Sequence, residues 1–351
     1  MNRIYDSHHN GSIQAQSNQE ISTHGLSSQN LNRRKFLSAG AMAAAAALLP
    51  GNRHAAGETA DTAANTKPGS FDFIFLTDTH LEPELDAAKG CDMAFRKAAA
   101  IRAEFAIQGG DHVFDSMGVD RKRADSLFDL YAQTEQALGL KVHHTIGNHD
   151  QFGLFTKSGV QVNSPGYGKQ LYKERMGPTY YSFDSKGYHF VVLDTVQPTE
   201  DRSWEARIDQ PQIEWLTADL NKLPTGTPIV VTGHVPLVTA FNAYTAPEAA
   251  GGSGTTPRST HPQLSVANAY EVLPILEKHN VLAVLQGHTH INEVVNYHGI
   301  DYITSGAVCG NWWRGTRMGF PEGFTVVSLR EGKLTHRYET YGFKTIDPQN
   351  T

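Results

Sequence analysis

The chain is poor in cysteine, with only Cys91 and Cys309 among 351 residues. That count excludes a disulfide scaffold and a zinc site built from cysteines. Whether the two pair is open at this level. An excess of positive charge is also missing, since 30 Lys+Arg stand against 36 Asp+Glu. Residues 1–57 hold five of the basic groups and two of the acidic ones, so the rest carries 25 against 34, a net −9. An acidic body argues against nucleic-acid binding through a basic face, but not against a small anion held at a metal. Charged content of 19% is too low for a disordered chain, and hydrophobic content is 39%. No apolar stretch reaches the roughly 20 residues that span a bilayer as a helix. What the sequence has in surplus is histidine, 17 in all.

Residues 1–31 are polar and aperiodic. Asn32-Arg33-Arg34-Lys35-Phe36-Leu37-Ser38 then leads into an Ala-rich run, Ala39–Leu49, that stops at Pro50. Paired arginines before a short, weakly hydrophobic stretch resemble a twin-arginine export signal. The resemblance implies export of the folded protein through that machinery to a periplasmic or extracellular location. Ala55-Ala56-Gly57 and Ala63-Ala64 offer small residues for cleavage. Residues 1–57 therefore read as a signal region, 58–70 as a linker, and 71–345 as one domain.

From Phe71 onward, short apolar runs alternate with amphipathic stretches. Strands are expected at Phe71–Leu76, Glu104–Gln108, Val142–Ile146, Ile229–Thr232, Val281–Leu285, Ile300–Thr304, Phe324–Leu329 and Leu334–Tyr341. A hairpin is expected from Tyr180–Phe183 and His189–Leu193 around Ser185-Lys186-Gly187. Helices are expected at Ala87–Ala100, Asp120–Leu138, Gln210–Leu220 and Val266–His279, the last carrying Pro274. The class is α/β, with a mixed sheet or two sheets stacked between helices. Two long loops, Phe152–Pro178 and Thr239–Gln263, break the pattern, and the second reads as a lid.

One arrangement recurs where strands end. Phe71–Leu76 runs into Thr77-Asp78-Thr79-His80, and Glu104–Gln108 into Gly109-Gly110-Asp111. Val142–Ile146 runs into Gly147-Asn148-His149-Asp150, Ile229–Thr232 into Gly233-His234, and Val281–Leu285 into Gln286-Gly287-His288-Thr289-His290. In α/β sheets the carboxyl ends of strands line the ligand crevice. Carboxylates, an amide oxygen and neutral imidazoles suit Zn, Mn, Fe or Co. Glycine before each polar residue lets the backbone turn and approach closely. Asp111, a single carboxylate between two pairs, is the natural bridge.

The ordered set Asp-x-His, Gly-Asp, Gly-Asn-His-Asp, Gly-His, Gly-His-x-His resembles the calcineurin-like metallophosphoesterase superfamily over residues 71 to about 341. The resemblance implies a four-layer α/β/β/α sandwich and a binuclear centre of divalent or trivalent ions. One ion would be held by Asp78, His80, Asp111 and His290; the other would share Asp111 and take Asn148, His234 and His288. The implied reaction is hydrolysis of a phosphate mono- or diester, with a metal-bridging hydroxide attacking phosphorus in line. His149 would act unligated as acid or transition-state partner, its ring oriented by Asp150 or Asp115. Phe114 stands where relatives carry a partner aspartate, or the tyrosine ligand of purple acid phosphatases. It cannot ligate, so no tyrosinate colour and no ferric iron are required. Substrate contacts are expected from Arg314, within Asn311-Trp312-Trp313-Arg314, and from His112. A small phosphate ester is the expected substrate. His143, His144, His189, His279 and His336 read as structural. Two other readings remain at this level: a mononuclear metallohydrolase of amides or non-phosphate esters, and a binding protein that keeps the metals without turnover.

Overall fold

The computed structural model describes residues 67–244 and 263–349. The arginine pair, the Ala-rich run, the linker up to residue 66 and the centre of the Thr239–Gln263 loop lie outside the described residues.

The first half builds one sheet and its cover. Strand β1 (Phe71–Leu76) is followed by helix α1 (Ala87–Ala99), β2 (Ala106–Gln108), α2 (Arg121–Glu135) and β3 (Val142–His144). Asp120 caps α2, its carboxylate accepting the Arg123 N–H at 2.8 Å. A tight 3₁₀ turn, Gln136–Leu138, ends the expected helix, and Gly139 closes it at φ 59°. The Phe152–Pro178 loop carries its own short helix, α3 (Gln170–Arg175). Arg202 pins this loop by donating to the carbonyls of Gly153, Leu154 and Val160.

The second half starts with the hairpin of β4 (Tyr181–Ser185) and β5 (Tyr188–Leu193). Its two-residue turn, Lys186-Gly187, has φ of 48° and 83°, the positive pair that matches strand twist. A small ribbon, β6 (Val196–Pro198) with β7 (Trp204–Ala206), was not expected from the sequence. Then come α4 (Gln210–Leu220), capped by Asp209, β8 (Ile229–Gly233), and α5 (Phe241–Tyr244). Helix α6 spans only Ala269–Leu276, shorter than the expected Val266–His279, with Pro274 inside it. Strand β9 (Val281–Gln286) precedes a second hairpin, β10 (Glu293–Tyr297) with β11 (Ile300–Thr304). Strand β10 also escaped the sequence reading, because its five residues show no clear apolar–polar alternation. Strands β12 (Phe324–Arg330) and β13 (Lys333–Glu339) end the list and rejoin the first sheet.

Sheet order is β13-β12-β1-β2-β3 in one sheet and β10-β11-β9-β8-β5-β4 in the other. In the first, β1, β2 and β3 run parallel; in the second, β5, β8, β9 and β11 do. Three separate apolar cores show the layering. Ile74, Leu76, Phe95, Leu127 and Phe128 pack sheet one against α1 and α2. Val191, Val231, Leu216 and Leu276 pack sheet two against α4 and α6. Between the sheets lies an aromatic core of Phe71, Phe73, Phe105, Tyr188 and Phe190. The arrangement is the expected α/β/β/α sandwich.

His143 in β3 closes the edge of that middle core, its ring stacked on Phe183 of β4 with centroids 3.5 Å apart. Burial, aided by the Lys141 charge, pushes its pKa from 6.5 down to about 4. Burial likewise pushes His144 down to about 3. Unfolded, both would titrate near 6.5, so below that pH the unfolded chain binds protons that the folded chain refuses. Stability should therefore fall as pH drops from 6.5 toward 4. The urea midpoint is expected to be lower at pH 5 than at pH 7, and His143→Phe should show a shallower drop than the native chain.

Candidate metal centre

All seven side chains picked from the strand ends meet at one place, where loops from both sheets face each other. Asp78 and His80 follow β1, Asp111 follows β2, and Asn148 follows β3. His234 follows β8, and His288 and His290 follow β9. Five of the seven, Asp78, His80, Asp111, His288 and His290, have positive φ between 39° and 71°. Non-glycine residues rarely adopt that conformation, and such strain gathers at functional sites. The glycines serve the close approach expected of them. A Cβ on Gly147 would stand 2.1 Å from Asp111 Oδ1, and one on Gly287 would stand 2.2 Å from Thr77 Oγ1.

The ring nitrogens settle what the cluster needs. His234 Nδ1 lies 2.9 Å from the Gly109 carbonyl, His290 Nδ1 2.7 Å from that of Gly310, and His80 Nδ1 3.4 Å from that of Phe114. A carbonyl can only accept, so each Nδ1 carries a proton, and in the neutral ring the bare Nε2 lone pair turns inward. Those lone pairs face other acceptors. His80 Nε2 and His290 Nε2 are 3.1 Å apart. His234 Nε2 is 3.2 Å from Asn148 Oδ1 and 3.1 Å from Asp111 Oδ2. His290 Nε2 is 3.2 Å from Asp78 Oδ1. Acceptors crowded on acceptors need cations between them, so the donor set fits metal ions.

Without metal, a proton answers that need at His234 but not at His288. Burial pushes His234 down, but the Asp111 and Asp78 carboxylates override it and raise its pKa to about 9. Burial holds His288 down to about 3, helped by the His234 charge. Burial pushes the Asp78 and Asp111 carboxyls up, and the surrounding imidazoles more than offset it, holding both well below the usual carboxylate range. Asp111 Oδ2 reaches His80 at 3.4 Å as well as His234, so it lies between the two histidine groups. His80–Asp111–His149 and Asp111–His234–His288 each form a set with metal-ligand spacing, sharing Asp111.

The family model of the calcineurin-like phosphoesterases matches residues 71–292, which carry all seven of these side chains. The chain belongs to that family. It is a metal-dependent phosphoesterase. Among solved structures it is similar to a dimetal phosphatase from Danio rerio, with TM-score 0.51, 17% identity, and 80% of this chain and 99% of that one covered. It is also similar to GAP50, the anchor in the inner membrane complex of Plasmodium, with TM-score 0.48, 16% identity and coverage of 80% and 89%. A third is the phosphopantetheinyl hydrolase of Mycobacterium tuberculosis, with TM-score 0.42, 13% identity and coverage of 70% and 91%. At such identities the likeness is one of fold. No curated protein matches the chain.

Other expected site residues sit differently. His149 is beside the cluster, its ring 4.6 Å from that of His80, and its backbone N–H donates to Asp111 Oδ1 at 2.8 Å. Its buried Nδ1 has no partner among the described residues. Neither aspartate offered as its orienter makes a hydrogen bond to it. Asp150 instead accepts the backbone N–H groups of Asp111, His112 and Gly147 and the ring Nδ1–H of His112. Asp115 accepts the N–H groups of Met117 and Gly118. His112 is fully buried and spans Asp150 and His144 Nδ1, so it faces the interior and not substrate. Arg314 forms an ion pair with Asp347. Of the two tryptophans, Trp313 is core and donates to the His80 carbonyl at 3.0 Å, while Trp312 faces the cluster, its ring 4.7 Å from that of His290. Cys309 and Cys91 are buried free thiols. Cys309 Sγ lies 3.7 Å from His290 Nδ1, a placement the sequence did not suggest.

Asp150 thus positions two loops at once. Asp150→Asn loses acceptor capacity for those N–H groups and is expected to weaken metal binding about 10- to 100-fold. Titrating manganese against thermal unfolding checks this, since the metal-induced rise in Tm should need correspondingly more metal.

Proposed function

We propose that Asp78, His80, Asp111 and His290 hold one divalent ion, that Asp111, Asn148, His234 and His288 hold a second, and that the pair serves hydrolysis of a small phosphate mono- or diester. The observation that supports this best is the convergence of inward Nε2 lone pairs on two carboxylates, with Asp111 Oδ2 shared between His80 and His234. A single-ion hydrolase would leave one side of that acceptor set uncompensated. Two ions held there would polarise a phosphoryl oxygen and make water nucleophilic near neutral pH.

The chain's own residues do the rest. The backbone carbonyls of Gly109 and Gly310 fix the imidazole tautomers. Asp150 fixes the loop that carries Asn148 and His149. His149 keeps a ring free of metal ligation at the cluster's edge, where it can hydrogen-bond a phosphoryl oxygen and pass a proton to the leaving oxygen. Phe114 supports this arrangement through its carbonyl on His80 and its ring, which lies edge-on to that of His80. Export through the twin-arginine machinery is proposed from Arg33-Arg34 alone, and no described helix is long and apolar enough to cross a membrane.

Two measurements test the reading. Elemental analysis of the folded protein is expected to return two metal ions per chain, and one would refute the shared carboxylate. Initial rates on aryl phosphate mono- and diesters with manganese should separate the roles. His149→Ala is expected to lower kcat by about 10²- to 10⁴-fold with metal content unchanged. Asp111→Asn should lose metal and activity together.

A further inference from the structure

A cavity of about 770 Å³ opens beside the metal centre. That is within the range of small-molecule sites and far larger than one phosphoryl group requires. Its walls include Glu82, Phe114, Asn311, Trp312, Arg314 and Arg317. Trp312 borders both the cavity and the histidine cluster. Its ring lies 4.7 Å from His290 and 6.0 Å from His80 on one side, and the Arg317 guanidinium sits 5.5 Å from its centroid. The segment is fastened to the metal loops. Val308 N–H donates to the Thr77 carbonyl, Cys309 N–H to that of Asp78, and the Trp313 indole to that of His80. Trp312 and Trp313 hold φ of 46° and 64°. A strained backbone so tied places the Trp312 ring firmly.

The charges of this cavity are unequal in their partners. Glu84 is paired with Arg123 at 2.6 Å, and Arg314 with Asp347. Arg317 makes no ion pair among the described residues, and its Nε is buried without a hydrogen-bond partner. Asn311, 3% exposed, likewise presents a buried Oδ1 with no partner. A guanidinium keeps its charge even when partly buried, and leaving one without an anion is costly. Such a group is matched when a ligand brings the anion.

We propose that Arg317, stacked on Trp312, receives a second anionic group of the substrate, a carboxylate or a further phosphoryl, carried on the part of the molecule away from the scissile phosphate. Trp312 and Phe114 then flank the portion in between. This rests on the metal-centre reading, because the scissile phosphate must sit at the cluster for the other end to reach Arg317. It makes Arg317 a specificity residue and leaves the chemistry to the centre.

Binding is measured without turnover on the manganese-loaded protein, by calorimetry with benzylphosphonate, 4-carboxybenzylphosphonate and 4-phosphonobenzylphosphonate. At least one of the two doubly anionic probes is expected to bind tenfold or more tighter than benzylphosphonate, and which one does identifies the anion. Arg317→Met should remove that gain while leaving benzylphosphonate affinity within about twofold, as expected for loss of a charge-assisted contact made only by the second anion. Arg317→Lys, which keeps charge but not the planar fork, should fall between and serves if the first variant does not fold. Equal affinity for all three probes, or a gain that survives at position 317 as Met, overturns the proposal. Loss of hydrolysis on all phosphate esters with the Arg317-dependent gain intact would instead count against the esterase reading alone.

Discussion

The Asp78 carboxylate joins the two sheets. It stands at the end of β1 in one sheet and accepts the backbone N–H of His288, which follows β9 in the other, at 3.0 Å. Its Oδ2 also takes the Thr77 hydroxyl at 2.6 Å, so Oδ1 alone is left to face His290, His80 and His234. A metal centre assembled from two sheets needs their strand ends at a fixed separation. The middle core supplies it with large, stiff side chains: Phe73 and Phe105 stack at 5.2 Å, and Phe190 meets both edge-on. Aromatic pairs of this kind resist sliding better than aliphatic ones, because offset and edge-on geometries are preferred over others. Function therefore depends on packing some distance from the chemistry.

The cluster is also costly to build. Five of its residues adopt left-handed backbone angles, and two carboxylates and three imidazoles are buried together. The surroundings offset that cost with backbone hydrogen bonds. Asp150 collects the N–H groups of the Asp111 and Gly147 turns, and the Asp78 loop is tied to Gly110 and Cys309 through main-chain bonds. These contacts hold the ligands whether or not the rings are charged. A pre-shaped site of this sort loses little entropy when a cation arrives.

Much of this was legible in the sequence for a physical reason. Parallel strands buried on both faces are continuous apolar runs, and the polar residue that ends each run has one place to go, the crevice at the carboxyl edge. Asp78, Asp111, Asn148, His234 and His288 were found that way. Strand β10 and the β6–β7 ribbon were not, because Val196–Pro198 and Glu293–Tyr297 carry no clear alternation and their pairing is fixed by tertiary contacts. The roles of Asp150 and His112 were hidden for another reason. Adjacent letters do not tell which neighbour a carboxylate will serve, and Asp150 turns to backbone N–H groups of its own loop and of the Asp111 loop instead of to the His149 ring beside it.

The contrast between Arg314 and Arg317 carries the argument one step further. Both follow the same strand and both flank the same cavity, so sequence position favours neither. The fold separates them by giving Arg314 an acid, Asp347, from the C-terminal segment, and giving Arg317 an indole. A cation on an aromatic face is held in place but not neutralised. The clustered carboxylates and imidazoles come from strand ends, where periodicity predicts them. Residues that read the remainder of a substrate come from the irregular 305–320 segment, where only the folded contacts distinguish a charge already paired from one available to a ligand. What separates the two arginines is accordingly written in the part of the sequence that pattern reading reaches least.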